Sequence, residues 1–100
     1  MTRAELNQRF VDIVGEGHVY FQPPSSIKMK YPAIRYKFKL ARSEFADDGR
    51  YSTDQVFEAI LIDSNPDNTN KDKMLLIPYT SPERSYTSDN LNHYVFTIQI

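Results

Sequence analysis

Alternating apolar and polar residues predict a β-sheet through the middle and the end of the chain. Residues 33–43 alternate between apolar and basic side chains, which is the period of a half-buried antiparallel strand. Residues 92–100 repeat this alternation, whereas residues 55–63 are apolar on both faces near their end, as in a central covered strand. The residues of the first strand expected to face inward and anchor the core are Ile34, Tyr36, Phe38 and Leu40.

A period near 3.6 residues predicts a helix over residues 2–14. Leu6, Phe10 and Ile13 recur at the spacing of one helical face. Thr2 and Glu5 have the spacing of a capping box at its start, and two glycines follow its end. A helix of this length is marginal alone, so we expect it to pack on the sheet.

A second, shorter helix is expected over residues 71–77, after a loop at residues 64–70. Thr69 is its expected N-cap, and Pro78 ends it. Met74, Leu75 and Ile77 are expected to face the core.

The remaining elements are short strands and turns. Residues 18–22 predict a strand that the prolines 23–24 end, and residues 84–87 predict another. Asp48-Gly49 is a typical turn sequence, so residues 33–43 and 51–63 are expected to form an antiparallel hairpin. The loop at its tip is expected to be long, at about residues 44–52. The predicted order is α-β-β-β-α-β-β. We therefore expect an α+β fold: a mixed, mainly antiparallel sheet of four to five strands with two helices packed on it.

Length and composition limit what this fold can hold. The 100 residues are expected to form one domain, residues 1–100, with one modest core. The chain has no cysteine, which excludes disulfides and thiolate chemistry. No apolar run approaches the roughly 20 residues of a membrane helix, and no secretory signal is recognised, so synthesis in the cytosol is expected.

The charges are distributed unevenly although the net charge is only −1. Residues 17–43 contain six bases and no acid, whereas residues 44–100 contain ten acids and four bases. Such a split is typical of a basic surface for nucleic acid, and equally of two surfaces through which copies of one chain contact each other.

No residue pattern indicates catalysis. His18 and His93 stand alone at the starts of two strands, where bonds from a ring nitrogen to the backbone are expected. The acid pairs in the loops are typical of solvated turns, and no glycine-rich phosphate loop is present. We therefore expect no enzymatic activity, no cofactor and no metal site.

A nucleic-acid interface on the basic strand is the main alternative to a solvated or docked face. Arg35, Lys37 and Lys39 would supply charge, and Tyr31 or Tyr36 would supply a ring for stacking. In a regular strand, however, Tyr36 points away from these bases, which weakens this interpretation.

Several ordered motifs resemble the small tail-completion or tail-terminator proteins of tailed bacteriophages. The resemblance covers about residues 6–98 and contains no catalytic signature. The segments that carry it are Val-Tyr-Phe-Gln-Pro-Pro at 19–24, Met-Lys-Tyr-Pro-Ala-Ile-Arg-Tyr at 29–36, Phe-Ala-Asp-Asp at 45–48, Asp-Lys at 72–73 before Leu-Leu-Ile-Pro at 75–78, and residues 84–98. One departure is Arg84-Ser85-Tyr86, where the family has Arg-His-Tyr, so no role of that histidine carries over.

The resemblance implies a structural protein of the virion tail or neck, present in the host cytoplasm during assembly. Family members form a ring, commonly a hexamer, that ends the tail tube and joins it to the head. The implied partners are further copies of the chain, the tube protein and a head-side neck or connector protein. DNA would pass through the lumen without specific binding, and no membrane would be involved. Another neck role, such as a head-completion or stopper protein, remains an alternative.

The charge split suggests which residues meet between copies in such a ring, because one surface must dock on a different surface of the next copy. The candidate basic residues are Lys28, Lys30, Arg35, Lys37, Lys39 and Arg42. The candidate acidic residues are Asp47, Asp48, Asp63 and Asp67.

Overall fold

The computed structural model has the predicted element order, with five strands and two helices. It describes the backbone of residues 1–46 and 49–100, and side chains outside residues 40–54. The elements are α1 (Arg3–Val14), β1 (Val19–Phe21), β2 (Ala33–Ala46), β3 (Gly49–Asp63), α2 (Asn70–Met74), β4 (Thr80–Ser88) and β5 (Leu91–Gln99).

All five strands form one sheet in the order β1-β2-β3-β5-β4. β1 runs parallel to β2, with Val19 opposite Ile34, and every other pairing is antiparallel. The expected mixed α+β sheet is therefore confirmed, and β3 is its central strand, as its apolar pattern predicted.

Helix α1 begins at the predicted capping box. The Glu5 amide donates to the Thr2 hydroxyl at 3.2 Å, and the Glu5 carboxylate lies 3.4 Å from the Thr2 amide. Leu6 and Phe10 are fully buried against the sheet, and the helix ends at Gly15, whose φ of 101° suits glycine. The predicted helix is confirmed.

The core lies on both faces of the sheet. The front face is the one that α1 and α2 cover, and it carries the larger cluster, with Tyr36, Phe57 and Phe96 among its members. The back face is the opposite one, and its smaller cluster is Ile60, Ile62 and Val95. Burial on both faces explains why β3 lacks polar alternation.

The hairpin β2–β3 is longer than the sequence indicates. Pairing continues to Ala46 opposite Gly49, so most of the expected loop at 44–52 is strand, and only Asp47 and Asp48 lie outside the described residues. β5 pairs with β3 as far as Val56 opposite Gln99, and Ile100 then exchanges backbone hydrogen bonds with Gln55. We call residues 41–46 and 49–54 the arm, because these two strands pair only with each other. The molecule is consequently elongated, with extents of 51 × 26 × 23 Å.

The expectation that Phe38 lies inward needs correction. Phe38 is on the front face, where its ring meets Phe57 edge-on at 5.8 Å, but the side chain is 42% exposed. It lies near the end of the helix-covered region, towards the arm. The register shifts directly after it, because Leu40 pairs with Val56 and Lys39 is an extra residue. The side chain of Leu40 lies outside the described residues.

Helix α2 is a single turn, and its cap differs from the predicted one. Thr69 makes no side-chain capping bond, whereas the Lys71 amide donates to Asn68 Oδ1 at 3.2 Å. Met74 and Ile77 are buried as predicted, but Leu75 is exposed. One turn followed by irregular chain cannot direct every apolar residue of this segment inwards.

β4 and β5 form the last hairpin. Asp89 and Asn90 have positive φ angles of 54° and 63°, which is the geometry of a two-residue hairpin turn. β4 begins earlier than predicted, at Thr80, and the register shifts between Pro82 and Arg84. β4 is an edge strand whose residues from Ser81 onwards are all exposed.

Candidate assembly surfaces

The connection between β1 and β2 lies on the back face and places two of the candidate bases there. We call residues 22–32 the strap. Met29 packs against the Ile60–Ile62–Val95 cluster, and the Lys30 amide donates to the Tyr20 hydroxyl at 3.0 Å. These contacts fix the strap and leave Lys28 and Lys30, on either side of Met29, exposed.

Both histidines have backbone partners, as predicted. His18 Nδ1 lies 3.0 Å from the Lys30 carbonyl and 2.9 Å from the Pro32 carbonyl. His93 Nδ1 lies 3.1 Å from the Leu91 carbonyl. Since carbonyls only accept hydrogen bonds, the proton is on Nδ1 in both rings, and His18 ties the strap to the start of β2.

The basic residues of β2 lie beside the strap. Arg35 and Lys37 are exposed, and they line a groove of about 350 Å³ together with Gln22, Glu58 and Ile60. The alternation of β2 thus places these two bases on one face, as the sequence predicted.

Two of the candidate bases already have acidic partners within the subunit. Lys37 Nζ lies 4.0 Å from Glu58, and Lys39 Nζ lies 3.6 Å from Glu83. Such exposed pairs are weak, but they reduce the charge offered to a partner. In the described part of the chain, Lys28, Lys30 and Arg35 have no carboxylate within 4 Å.

The two candidate acids that the structure describes form turns. Asp63 is 8% exposed, and its carboxylate accepts a 2.9 Å bond from the Asn65 amide. Asp67 is exposed, and its amide donates to Asn65 Oδ1. Asp63 therefore offers little surface to a partner. Asp47, Asp48 and the side chain of Arg42 lie outside the described residues.

Of the two rings considered for nucleic-acid stacking, Tyr31 is exposed on the strap, whereas Tyr36 is in the core. Tyr36 is buried on the front face, and its hydroxyl donates a 2.6 Å bond to Asn7 Oδ1 of α1. Burial raises the pKa of this phenol, although Arg3 acts in the opposite direction. Tyr36 therefore fastens α1 to the sheet and does not face the basic residues.

A pair of stacked rings, which the sequence analysis did not identify, lies on the back face. Tyr86 and His93 stack with ring centroids 4.7 Å apart and an interplanar angle of 11°. They are directly opposite in the β4–β5 register, next to the pair Arg84–Val95. The two-residue turn at Asp89–Asn90 sets this register, so the pairing could be predicted only once the exact turn residues were known.

The outer edge of β4 and helix α2 border a second groove, of about 440 Å³. Lys71 and Leu75 form the α2 side, Arg84 and Ser85 form the strand side, and Phe96 is among the floor residues. No strand pairs with the outer edge of β4 in the described part of the chain. This combination offers backbone hydrogen-bonding groups beside an apolar surface.

An exposed apolar surface follows α2. Leu76 is 79% exposed and Tyr79 is 82% exposed, and Tyr79 has a positive φ of 59°. A groove of about 500 Å³ runs beside Pro78 and Tyr79 to the ends of the chain. Within the apolar run of residues 75–79, the irregular backbone directs Ile77 inwards and leaves its neighbours exposed.

The described residues contain neither a cluster of metal ligands nor a membrane-spanning helix. No group of three or more histidine and acidic side chains converges there as metal ligands would. In the same part of the chain, no helix combines the length and apolarity needed to cross a bilayer.

Comparison of the sequence with protein-family models and with characterised proteins gives no match.

Proposed function

We propose that this chain is a structural subunit that assembles with copies of itself into a ring at the head-proximal end of a bacteriophage tail tube. The ring, commonly a hexamer in the family that the sequence resembles, would end tube polymerisation and join the tail to the head. The resemblance over residues 6–98 supports the virion role. The shape of the subunit supports self-assembly.

The projecting arm is the observation that carries the proposal. The Cα radius of gyration is 14.8 Å, whereas a compact domain of 100 residues has about 12.7 Å. The accessible surface is 6500 Å², compared with about 5,900 Å² for a compact protein of this mass. An isolated two-stranded hairpin is marginally stable in water. The arm therefore needs a neighbour, and further copies of the chain are the simplest source.

The surfaces available for contact differ from one another, which favours a ring. The unpaired bases lie on the strap and β2, whereas the exposed apolar residues Leu76 and Tyr79 follow α2. When two copies join through unlike surfaces, one copy still has its first surface free and the other copy still has its second surface free. Repeated addition closes a ring where the rotation between copies divides a full turn, which is the outcome that the family resemblance implies.

Negative-stain imaging of the purified chain, with and without isolated tail tubes, tests this proposal. Rings with an open centre that also attach to tube ends are the expected result. Separate monomers at high concentration, without attachment to tubes, would contradict it. A related neck role, such as a stopper or head-completion protein, predicts rings that attach on the head side, so the position in the particle separates the two.

Nucleic-acid binding is a second candidate, favoured by the stacked Tyr86–His93 pair on the same face as Arg35. Stacking rings and cations on one face are what single-stranded nucleic acid requires. A salt titration of oligonucleotide binding tests it, because affinity that depends on phosphate contacts falls steeply with salt. Absence of binding at low salt would exclude this function.

A further inference from the structure

Besides the three-residue edge strand β1, two strand segments of the described chain lack a neighbour on their outer side: the arm and the outer edge of β4. They lie at opposite ends of the sheet. β2 starts at Ala33 and runs towards the arm, whereas β4 runs in the opposite direction and ends at Ser88, in the turn that leads to Leu91. The end of β3 that is far from the arm is Asp63, and it pairs with Asn92 beside the same turn. The second half of β4 therefore lies at the end of the sheet opposite to the arm. One subunit therefore cannot bring its own arm to the far end of β4.

Only the second half of β4 has an unprotected edge. Pro82, which lacks an amide donor, and the register shift before Arg84 interrupt the first half. Residues 84–88 contain no proline and no further register shift, and all are exposed. This half is a regular ladder to which another strand can be added.

The turn geometry identifies which amides of this edge are free. Ser88 and Leu91 flank a two-residue turn, so they form a hydrogen-bonded pair. Antiparallel pairs alternate between bonded and non-bonded, so Ser85 and Thr87 direct their N–H and C=O groups outwards. Two donors and two acceptors therefore face solvent along this half of β4.

The arm matches this edge in length. Its two strands, residues 41–46 and 49–54, have six residues each and span about 20 Å, and residues 84–88 span about 17 Å. The subunit exceeds the surface of a compact protein by about 600 Å². That excess approaches the roughly 800 Å² per partner that a stable interface buries.

We propose that the arm of one copy adds as a strand to the edge of residues 84–88 of β4 in the next copy, beside the groove that α2 borders. This inference rests on the proposed self-assembly and assigns its contact. Main-chain hydrogen bonds would supply affinity, as in other cases of strand addition. Because the arm and the β4 edge are unlike surfaces, the contact repeats from copy to copy.

Engineered cysteines test this contact cleanly, because the chain contains no cysteine of its own. The double variants Ser43→Cys/Ser85→Cys and Ser52→Cys/Ser85→Cys place one thiol on an arm strand and one on the edge. Glu16→Cys/Ser85→Cys, with its first thiol on the exposed turn after α1, is the matched control. Each is treated with a short bismaleimide and analysed by denaturing electrophoresis.

At least one arm variant should give a ladder of covalent multimers up to the ring size. Each single-cysteine variant should stop at dimers, and the Glu16 control should give no ladder. An assembled protein that yields no ladder with either arm variant, or an equal ladder with the Glu16 control, would overturn the proposed contact and leave the ring intact. A protein that remains monomeric would overturn both.

A proline variant gives a second readout. Thr87→Pro removes an amide that points outwards and leaves the bonds between β4 and β5 in place. The melting temperature of the subunit should therefore change by only a few degrees. The protein concentration at which half of the chains are assembled should rise at least about tenfold. Unchanged assembly of a folded Thr87→Pro variant would contradict the proposal. If Thr87→Pro does not fold, the cross-linking result decides.

Discussion

The hydroxyl of Tyr36 donates a 2.6 Å hydrogen bond to the side-chain oxygen of Asn7, and this bond joins β2 to α1. The ring of Tyr36 also packs edge-on against Phe10, with centroids 5.0 Å apart. The phenol is thus held neutral in the contact that attaches the helix to the sheet.

Tyr36→Phe should lower the free energy of unfolding by about 0.5–1.5 kcal/mol at neutral pH, because it removes one hydrogen bond and leaves Asn7 without this partner. Chemical denaturation measures this change. An unaltered midpoint would contradict the role of the bond.

The same residue predicts how stability depends on alkaline pH. Burial raises the pKa of Tyr36, so its stabilising effect is complete below the unfolded value of about 10 and is lost as pH rises through the folded value. Tyr36→Phe should make the decline above pH 10 shallower. Tyr79→Phe, which removes a phenol from a largely exposed side chain, is the control, and equal changes of slope in the two variants would contradict the role of burial.

Phe38 and Phe10 form a matched pair for measuring burial. Phe10 is fully buried, so Phe10→Ala should cost about 3–5 kcal/mol. Phe38 is partly exposed and retains mainly its contact with Phe57, so Phe38→Ala should cost roughly 1–2 kcal/mol in the isolated subunit. Equal losses in thermal or chemical unfolding would contradict the described register of β2.

Asn68 and Thr69 distinguish the two possible caps of α2. Asn68 accepts a bond from the Lys71 amide, and its own amide donates to the Asn65 carbonyl at 2.8 Å. Asn68→Ala should therefore cost about 1–2 kcal/mol, whereas Thr69→Ala should be nearly neutral. The opposite order in unfolding experiments would restore Thr69 as the cap.

The sequence predicts elements well where one period dominates. Thr2, Glu5 and the apolar stripe predict α1 correctly, and the alternation of β2 correctly assigns Tyr36 and Arg35 to opposite faces. It fails where position depends on distant pairing. The exposure of Phe38 follows from where the helix cover ends, and Asn68 rather than Thr69 caps α2 because of how the preceding loop folds.

The candidate assembly residues show the same limit. Sequence identifies the bases of residues 28–39, but it cannot show that Lys37 and Lys39 meet Glu58 and Glu83 of the same subunit. Nor can it show the free edge of β4, which depends on the strand order, or the exposure of Tyr79, which depends on the irregular backbone after α2.

This difference among the bases predicts unequal effects on assembly. Lys30→Gln/Arg35→Gln should weaken assembly more than Lys37→Gln/Lys39→Gln, although both remove two charges, because Lys37 and Lys39 already have partners within the subunit. The difference should shrink at high salt, where exposed charges are screened. Sedimentation velocity measures it at two salt concentrations. Equal effects of the two variants at low salt would show that the unpaired bases have no special role between copies.

Native mass spectrometry of the unmodified chain over a range of concentrations tests the central claim most directly. The account predicts one closed oligomer of defined stoichiometry, a hexamer if the family resemblance holds, in equilibrium with monomer. A protein that remains monomeric at the highest concentration would contradict it.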